Sequence, residues 1–195
     1  MNRALIALLV ALATCSLAAQ KEYSFPHTRP NGRATPEYDY GGLHVVVNYD
    51  YAQRNHKTKW LLLDLGIASE QSFILHKKDI TLLTPDDRHL PLATHEEILG
   101  DSEGITSVLQ NAKIFRHDLA SYFNQRNGGV PNEAIRFQTF PPGRRTASDE
   151  VTVDGDHVTA GRLLFRTPRG SWEAGTYRLE VNTDAGQAAV PIKLE

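Results

Sequence analysis

The last third of the chain, Gly161 to Leu194, constrains the fold most. Leu163 and Phe165 alternate with Arg162 and Arg166. Tyr177, Leu179 and Val181 alternate with Thr176, Arg178, Glu180 and Asn182. Ala188, Val190, Ile192 and Leu194 alternate with Ala189, Pro191, Lys193 and Glu195. A period of two with one apolar face predicts three consecutive strands. Such a meander cannot hide its apolar face alone, so it must form one layer of something larger. Pro191 has no N–H to donate, which marks the last strand as an edge.

The upstream half adds more of the same pattern. Leu43, Val45, Val47 and Tyr49 share one face of a strand. Trp60 to Ile67 is the most apolar strand, with Leu61, Leu63, Leu65 and Ile67 on one side and Trp60, Leu62 and Asp64 on the other. Apolar residues on both sides predict a central strand covered on both faces. Between these two, Gln53 to Lys59 reads as a polar turn. Phe73 to Leu75 reads as a short strand, and Asp79 to Thr84 turns through Pro85-Asp86-Asp87 into His89 to Leu92 as a hairpin. Further strands are expected at Ile135 to Phe140 and Glu150 to Val153.

The period changes after Thr94. Thr94 with Glu97 three residues on is a capping box. Ile98, Ile105, Val108, Leu109 and Ala112 then recur at helical spacing, interrupted by Gly100 and Gly104. Asp118 is placed to cap a second short helix carrying Leu119, Tyr122 and Phe123, which Asn127-Gly128-Gly129 stops. Residues 94–127 thus read as a helical insertion whose apolar stripe needs a surface, and the face carrying Trp60 and Leu62 offers one.

The start of the chain bears on destination. One cation, Arg3, precedes an uncharged apolar run from Ala4 to Thr14, and small residues follow through Ala19. The run is short for a bilayer span but suits a secretory signal peptide, cleaved after Ala18 or Ala19. Leu12-Ala13-Thr14-Cys15 also approaches a lipobox, which makes Cys15 a candidate lipidation site, with Thr14 unusual in that pattern. Cys15 is the sole cysteine, so the mature domain must be held by core packing and sheet pairing without disulfides. Residues 20–42, rich in Pro and Gly, read as an extended leader. Residues 43–195 read as the β-domain with its insertion. A net charge of -2 from 21 basic and 23 acidic residues offers no basic stripe for nucleic acid. Membrane contact is expected only through lipidation at Cys15.

Trp60 to Ile67 with Asp79-Ile80-Thr81-Leu82, Gly161 to Phe165 with Pro168, and Gly175-Thr176-Tyr177-Arg178-Leu179 closed by Pro191-Ile192-Lys193-Leu194 together resemble the small immunoglobulin-like β-sandwiches of exported bacterial proteins of unknown function. The resemblance spans about two thirds of the chain and implies a mainly β, two-layer antiparallel sandwich. It carries no active site with it.

Chemistry-bearing patterns are sparse. His95-Glu96-Glu97 has Leu where a zinc-protease helix needs a second His at position 99. Arg116-His117-Asp118 are sequence neighbours and do not face one another on a helix. No nucleophile elbow, phosphate loop or Cys–His pair occurs. No cofactor or metal ligand set is therefore expected. Aromatic side chains suit recognition better: Tyr49, Tyr51, Trp60 and Trp172 are the candidate binding residues, since exposed aromatics stack on sugars or anchor partner proteins. The expectation is a non-enzymatic exported binding or accessory module of a bacterial envelope, its partner a protein or glycan there. Two rivals follow. One is an envelope-polymer hydrolase using Asp64, Glu96, His117 and Asp118. The other is a lipoprotein scaffold anchored through Cys15.

Overall fold

A computed structural model describes residues 24–115, 118–123, 131–139 and 147–195. The signal segment with Cys15, the pair Arg116-His117 and the Asn127-Gly128-Gly129 stop lie outside the described residues.

Among the described residues the strands form two main sheets and a small one. The larger has six strands: β1 (Thr28–Pro30), β2 (Pro36–Tyr40), β3 (Leu43–Asn48), β4 (Trp60–Ser69), then β10 (Val158–Arg166) and β8 (Pro131–Ile135). The smaller orders β12 (Gly186–Leu194), β11 (Gly175–Thr183), β6 (Ile80–Leu83) and β7 (His89–Pro91). A separate pair joins β5 (Phe73–His76) to β9 (Glu150–Val153). Pairing is antiparallel throughout except between β10 and β8, which run parallel.

The inner faces of the two main sheets share one core. From the large sheet it takes Val45, Val47, Leu61, Leu63, Leu65, Leu163 and Phe165. From the small sheet it takes Ile80, Leu82, Leu179, Val181, Val190 and Ile192. Each such side chain gains roughly 2 kcal/mol from leaving water.

The C-terminal meander is a correction. β11 and β12 pair along their length, from Gly175 opposite Leu194 to Thr183 opposite Gly186. β10 instead lies in the other sheet beside β4, with Leu163 opposite Leu63. The alternation in β10 breaks at Leu164, which faces outward into a second apolar cluster. A strand apolar on both faces belongs at the centre of the covered sheet. β12 does sit at an edge, with Pro191 opposite Arg178.

The segment expected as an extended leader contributes β1 and β2 to the large sheet. Tyr38 reaches the inner core, and Glu37 is buried on the other face. A short helix, α1 (Asp50–Asn55), takes up the first residues of the stretch Gln53 to Lys59 that reads as a polar turn, and is held on its exposed side by Arg54 Nε donating to Asp50 Oδ1 at 3.2 Å. The strand expected over Ile135 to Phe140 ends at Ile135. Beyond it, the Gln138 side chain replaces backbone pairing: it donates to Ala93 O and Leu164 O, both at 2.9 Å, and accepts from Leu164 N at 2.7 Å.

Helices cover the outer face of the large sheet. α2 (His95–Leu99) opens with the capping box read in sequence: Glu97 N donates to Thr94 Oγ1 and Thr94 N to Glu97 Oε2. α3 (Ser102–Asn111) follows. Ile98, Ile105, Val108 and Ala112 pack on Trp60, Leu62 and Leu164. A single turn, Leu119–Tyr122, capped by Asp118, packs with Phe123 on Val46, Ala68 and Val158. Gly66 permits this, since a Cβ there would meet the Phe123 ring at 2.9 Å.

Candidate functional site

The four nominated aromatics are buried, with exposures of 2% for Trp60, 4% for Trp172, 5% for Tyr49 and 7% for Tyr51. None presents an open ring face for stacking, which corrects the reading of them as exposed anchors. Their strand or helix positions point them into the cores: Tyr49 and Trp172 belong to the inner core, Tyr51 and Trp60 to the outer cluster.

Three of the four nevertheless meet around one cleft. It has a volume of about 820 Å³ and lies between α1, the loop after it, the start of β4 and α3. Trp60 and Tyr51 line it. Trp172 stands behind the loop and fixes its shape: its backbone N–H donates to His56 O at 3.1 Å and to Thr58 O at 3.3 Å, and its Nε1 to Lys59 O at 3.3 Å. Tyr177 packs edge-on against the Trp172 ring. Tyr49 takes no part in the lining.

Asp101, at the start of α3, organises one wall. Its Oδ2 accepts from Trp60 Nε1 at 2.6 Å and pairs with Lys59 Nζ at 2.7 Å. Burial works to raise its pKa, but these two donors and the Lys59 charge outweigh that and hold it below the ordinary carboxylate range. Gly104 is needed here, because a Cβ would come within 2.5 Å of the Asp101 carboxylate. In sequence Gly104 reads only as an interruption of the helix.

α1 supplies the opposite wall. Gln53 is 5% exposed and lines the cleft, and its Oε1 is a buried acceptor without a partner among the described residues. His56, also buried, brings Nδ1 within 3.1 Å of Gln53 O. A carbonyl only accepts, so Nδ1 is the donor in this bond. Arg54, paired to Asp50, lies 5.3 Å from the Phe115 ring centroid. Arg33 and Lys57 stand exposed at the mouth, with no ion pair among the described residues. Gln53, His56 and Asp101 are invisible to motif reading; only the burial of polar residues reveals them.

Of the residues considered for hydrolysis, Asp64, Glu96 and Asp118 do not line this cleft. Asp64 accepts from Arg162 Nε at 3.2 Å, Glu96 stands exposed on α2, and Asp118 accepts from Ala120 N as a cap. His117 lies outside the described residues.

A second buried polar cluster sits on the same outer sheet face. Glu37 accepts from Arg29 Nη2 at 2.8 Å and Nε at 3.1 Å and from Asn31 Nδ2 at 3.2 Å. It also lies 2.7 Å from His44 Nε2, and the His44 ring packs on Phe123 with centroids 4.4 Å apart. Burial works to raise the Glu37 pKa; the hydrogen bonds from Arg29, Asn31 and His44 outweigh it and lower it. This carboxylate is closed on itself and leaves no group for a ligand.

Among the described residues no set of three or more His, Cys, Asp or Glu is placed to hold a metal ion, and no helix is long and apolar enough to cross a membrane. No protein-family model matches the chain, and neither does a curated protein or a solved structure.

Proposed function

We propose that the protein is an exported, immunoglobulin-like β-sandwich acting as a non-enzymatic binding module of a bacterial envelope, with its ligand in the cleft between α1 and α3. The observation that carries this reading is the cleft itself. Its size lies in the range of small-ligand sites, and its walls combine apolar surface with a few convergent polar groups. Asp64, Glu96 and Asp118 each have a separate structural setting away from it, which favours binding over hydrolysis. Export rests on the apolar N-terminal run and its small residues.

The test uses sedimentation of the purified protein with a whole bacterial envelope fraction, with soluble reducing ends assayed in parallel. The protein is expected to pellet with the envelope without releasing fragments. Ser107→Trp, at an exposed α3 position on the cleft wall, fills the cleft and is expected to abolish retention. Equal retention of the variant overturns the cleft assignment, and release of reducing ends overturns the non-enzymatic one.

A further inference from the structure

The tip of the β1–β2 hairpin holds a reactive dipeptide. Of the asparagines among the described residues, Asn31 alone precedes a glycine. Asn31 N donates to Thr35 O at 2.9 Å and closes the turn, with Asn31 and Gly32 both exposed. Gly32 takes φ +78, and a Cβ there would meet nothing within 4 Å. Among the described residues its N–H has no hydrogen-bond partner. A peptide nitrogen that is unbonded and free of side-chain crowding has room to approach the asparagine Cγ beside it. Asp154-Gly155 shows the closed alternative. Asp154 Oδ1 accepts from Asp156 N at 3.1 Å and from His157 N at 2.9 Å, and a Cβ at Gly155 would meet Ser69 O at 3.1 Å. The Asn31 side chain is held by one hydrogen bond among the described residues. Its Nδ2 donates to Glu37 Oε2 at 3.2 Å, an oxygen that Arg29 Nε also reaches at 3.1 Å.

We infer that Asn31 is a site of spontaneous deamidation, and that its conversion loosens the β1–β2 hairpin by setting a second carboxylate against the buried Glu37. The Gly32 nitrogen attacks Asn31 Cγ, and a bond forms between them. The Cγ–Nδ2 bond breaks, the Gly32 amide proton ends on the departing nitrogen, and ammonia leaves. The product is a cyclic imide. Water then adds across one of its two C–N bonds, leaving either aspartate or isoaspartate at position 31. Water is the sole co-reactant, and nothing is oxidised or reduced. Either product replaces a donor to Glu37 with an anion, and like charges beside a buried carboxylate repel. The isoaspartate also lengthens the backbone inside the turn. That lengthening works against the register in which Pro30 faces Pro36 and Arg29 faces Glu37.

The experiment incubates the purified protein at mildly alkaline pH and physiological temperature. Peptide mass spectrometry with enzymatic isoaspartate detection then locates the conversion. The peptide carrying Asn31 is expected to convert at least about tenfold faster than the peptide carrying Asn182, which precedes Thr183. Asn31→Gln, whose attack needs a larger ring, is expected to stay intact at that position. Two further variants separate lost donor from added charge. Asn31→Ala removes the donor alone, and Asn31→Asp reproduces the aspartate product. Asn31→Asp is expected to melt a few degrees below Asn31→Ala at neutral pH, with the gap closing as acid protonates the two carboxylates. Conversion of Asn31 no faster than that of Asn182 overturns the site. Equal melting of Asn31→Asp and Asn31→Ala overturns the loosening of the hairpin.

Discussion

The outer face of the large sheet is covered twice, and the two covers handle buried polarity in opposite ways. Under the Leu119–Phe123 turn, Glu37 gathers Arg29, Asn31 and His44, and every oxygen lone pair has a donor nearby. At the cleft between α1 and α3, Gln53 leaves its Oε1 without a partner among the described residues while charged groups line the cleft. A satisfied buried network rigidifies a fold, and an unsatisfied one marks a place where something else is accommodated. The satisfied cluster thus sits on the sheet, and the unsatisfied group sits on α1 beside the cleft.

The comparison breaks most easily at Trp60. Trp60→Ala removes a ring filling the outer cluster and the donor to Asp101 Oδ2. A loss of about 4 kcal/mol is expected by urea denaturation, with hydrogen exchange in α3 rising most. A loss under about 1 kcal/mol would show that α3 is only loosely seated and that the cleft has no fixed wall. The equivalent probe of the other cover is Gly66→Ala. The new methyl displaces the Phe123 ring from its seat, at an expected cost of about 2 kcal/mol. The chemical shift of the His44 ring should move with it, and an unmoved shift would disconnect Phe123 from the Glu37 cluster.

pH separates the covers further. The pKa of Glu37 is lower in the folded protein than its ordinary value of 4.5. Its contribution to stability is therefore complete above that ordinary value and is lost as pH falls through the lower, folded one. Glu37→Gln is expected to lose about 1.5 kcal/mol at neutral pH, from weaker hydrogen bonds to Arg29 and His44. It should also lose less than the parent on acidification. An unchanged acid limb would mean that Asp86, Glu97, Asp101 and Asp154, whose pKa values are also lowered, dominate that limb instead.

Much of the fold could be read from residue order because its signals are local or periodic. The two-sided apolar pattern of Trp60 to Ile67 placed the helices against Trp60 and Leu62, and Thr94 with Glu97 marked the start of α2. The errors came where pairing is long-range. Nothing within Val158 to Arg166 says that it pairs with β4 rather than with β11, because period two reports a buried face and not a neighbour. α1 was missed because six residues are too few to show helical periodicity, and its stability comes from Tyr51 and Ala52 docking in two different cores. At the site, aromatic residues pointed to the right neighbourhood for the wrong reason. Trp60 lines the cleft and Trp172 holds its loop from behind, and the polar residues beside them are ordinary ones that become unusual only through burial.

The smallest expected effect is also the most discriminating. In a purely structural setting, replacing a buried unpartnered amide with an apolar side chain of similar size removes a desolvation penalty. Gln53→Met is therefore expected to stabilise the protein by up to about 1 kcal/mol in chemical denaturation. Glu37→Gln, at the satisfied cluster, moves stability the other way. Opposite signs at the two sites would sustain the contrast between a closed polar cluster and an open one. A destabilised Gln53→Met would mean that the amide is held by the fold after all, and the cleft would lose its distinction from the cluster around Glu37. If the variant is more stable and also binds its ligand less well, Gln53 is kept at a cost to stability because the binding site uses it.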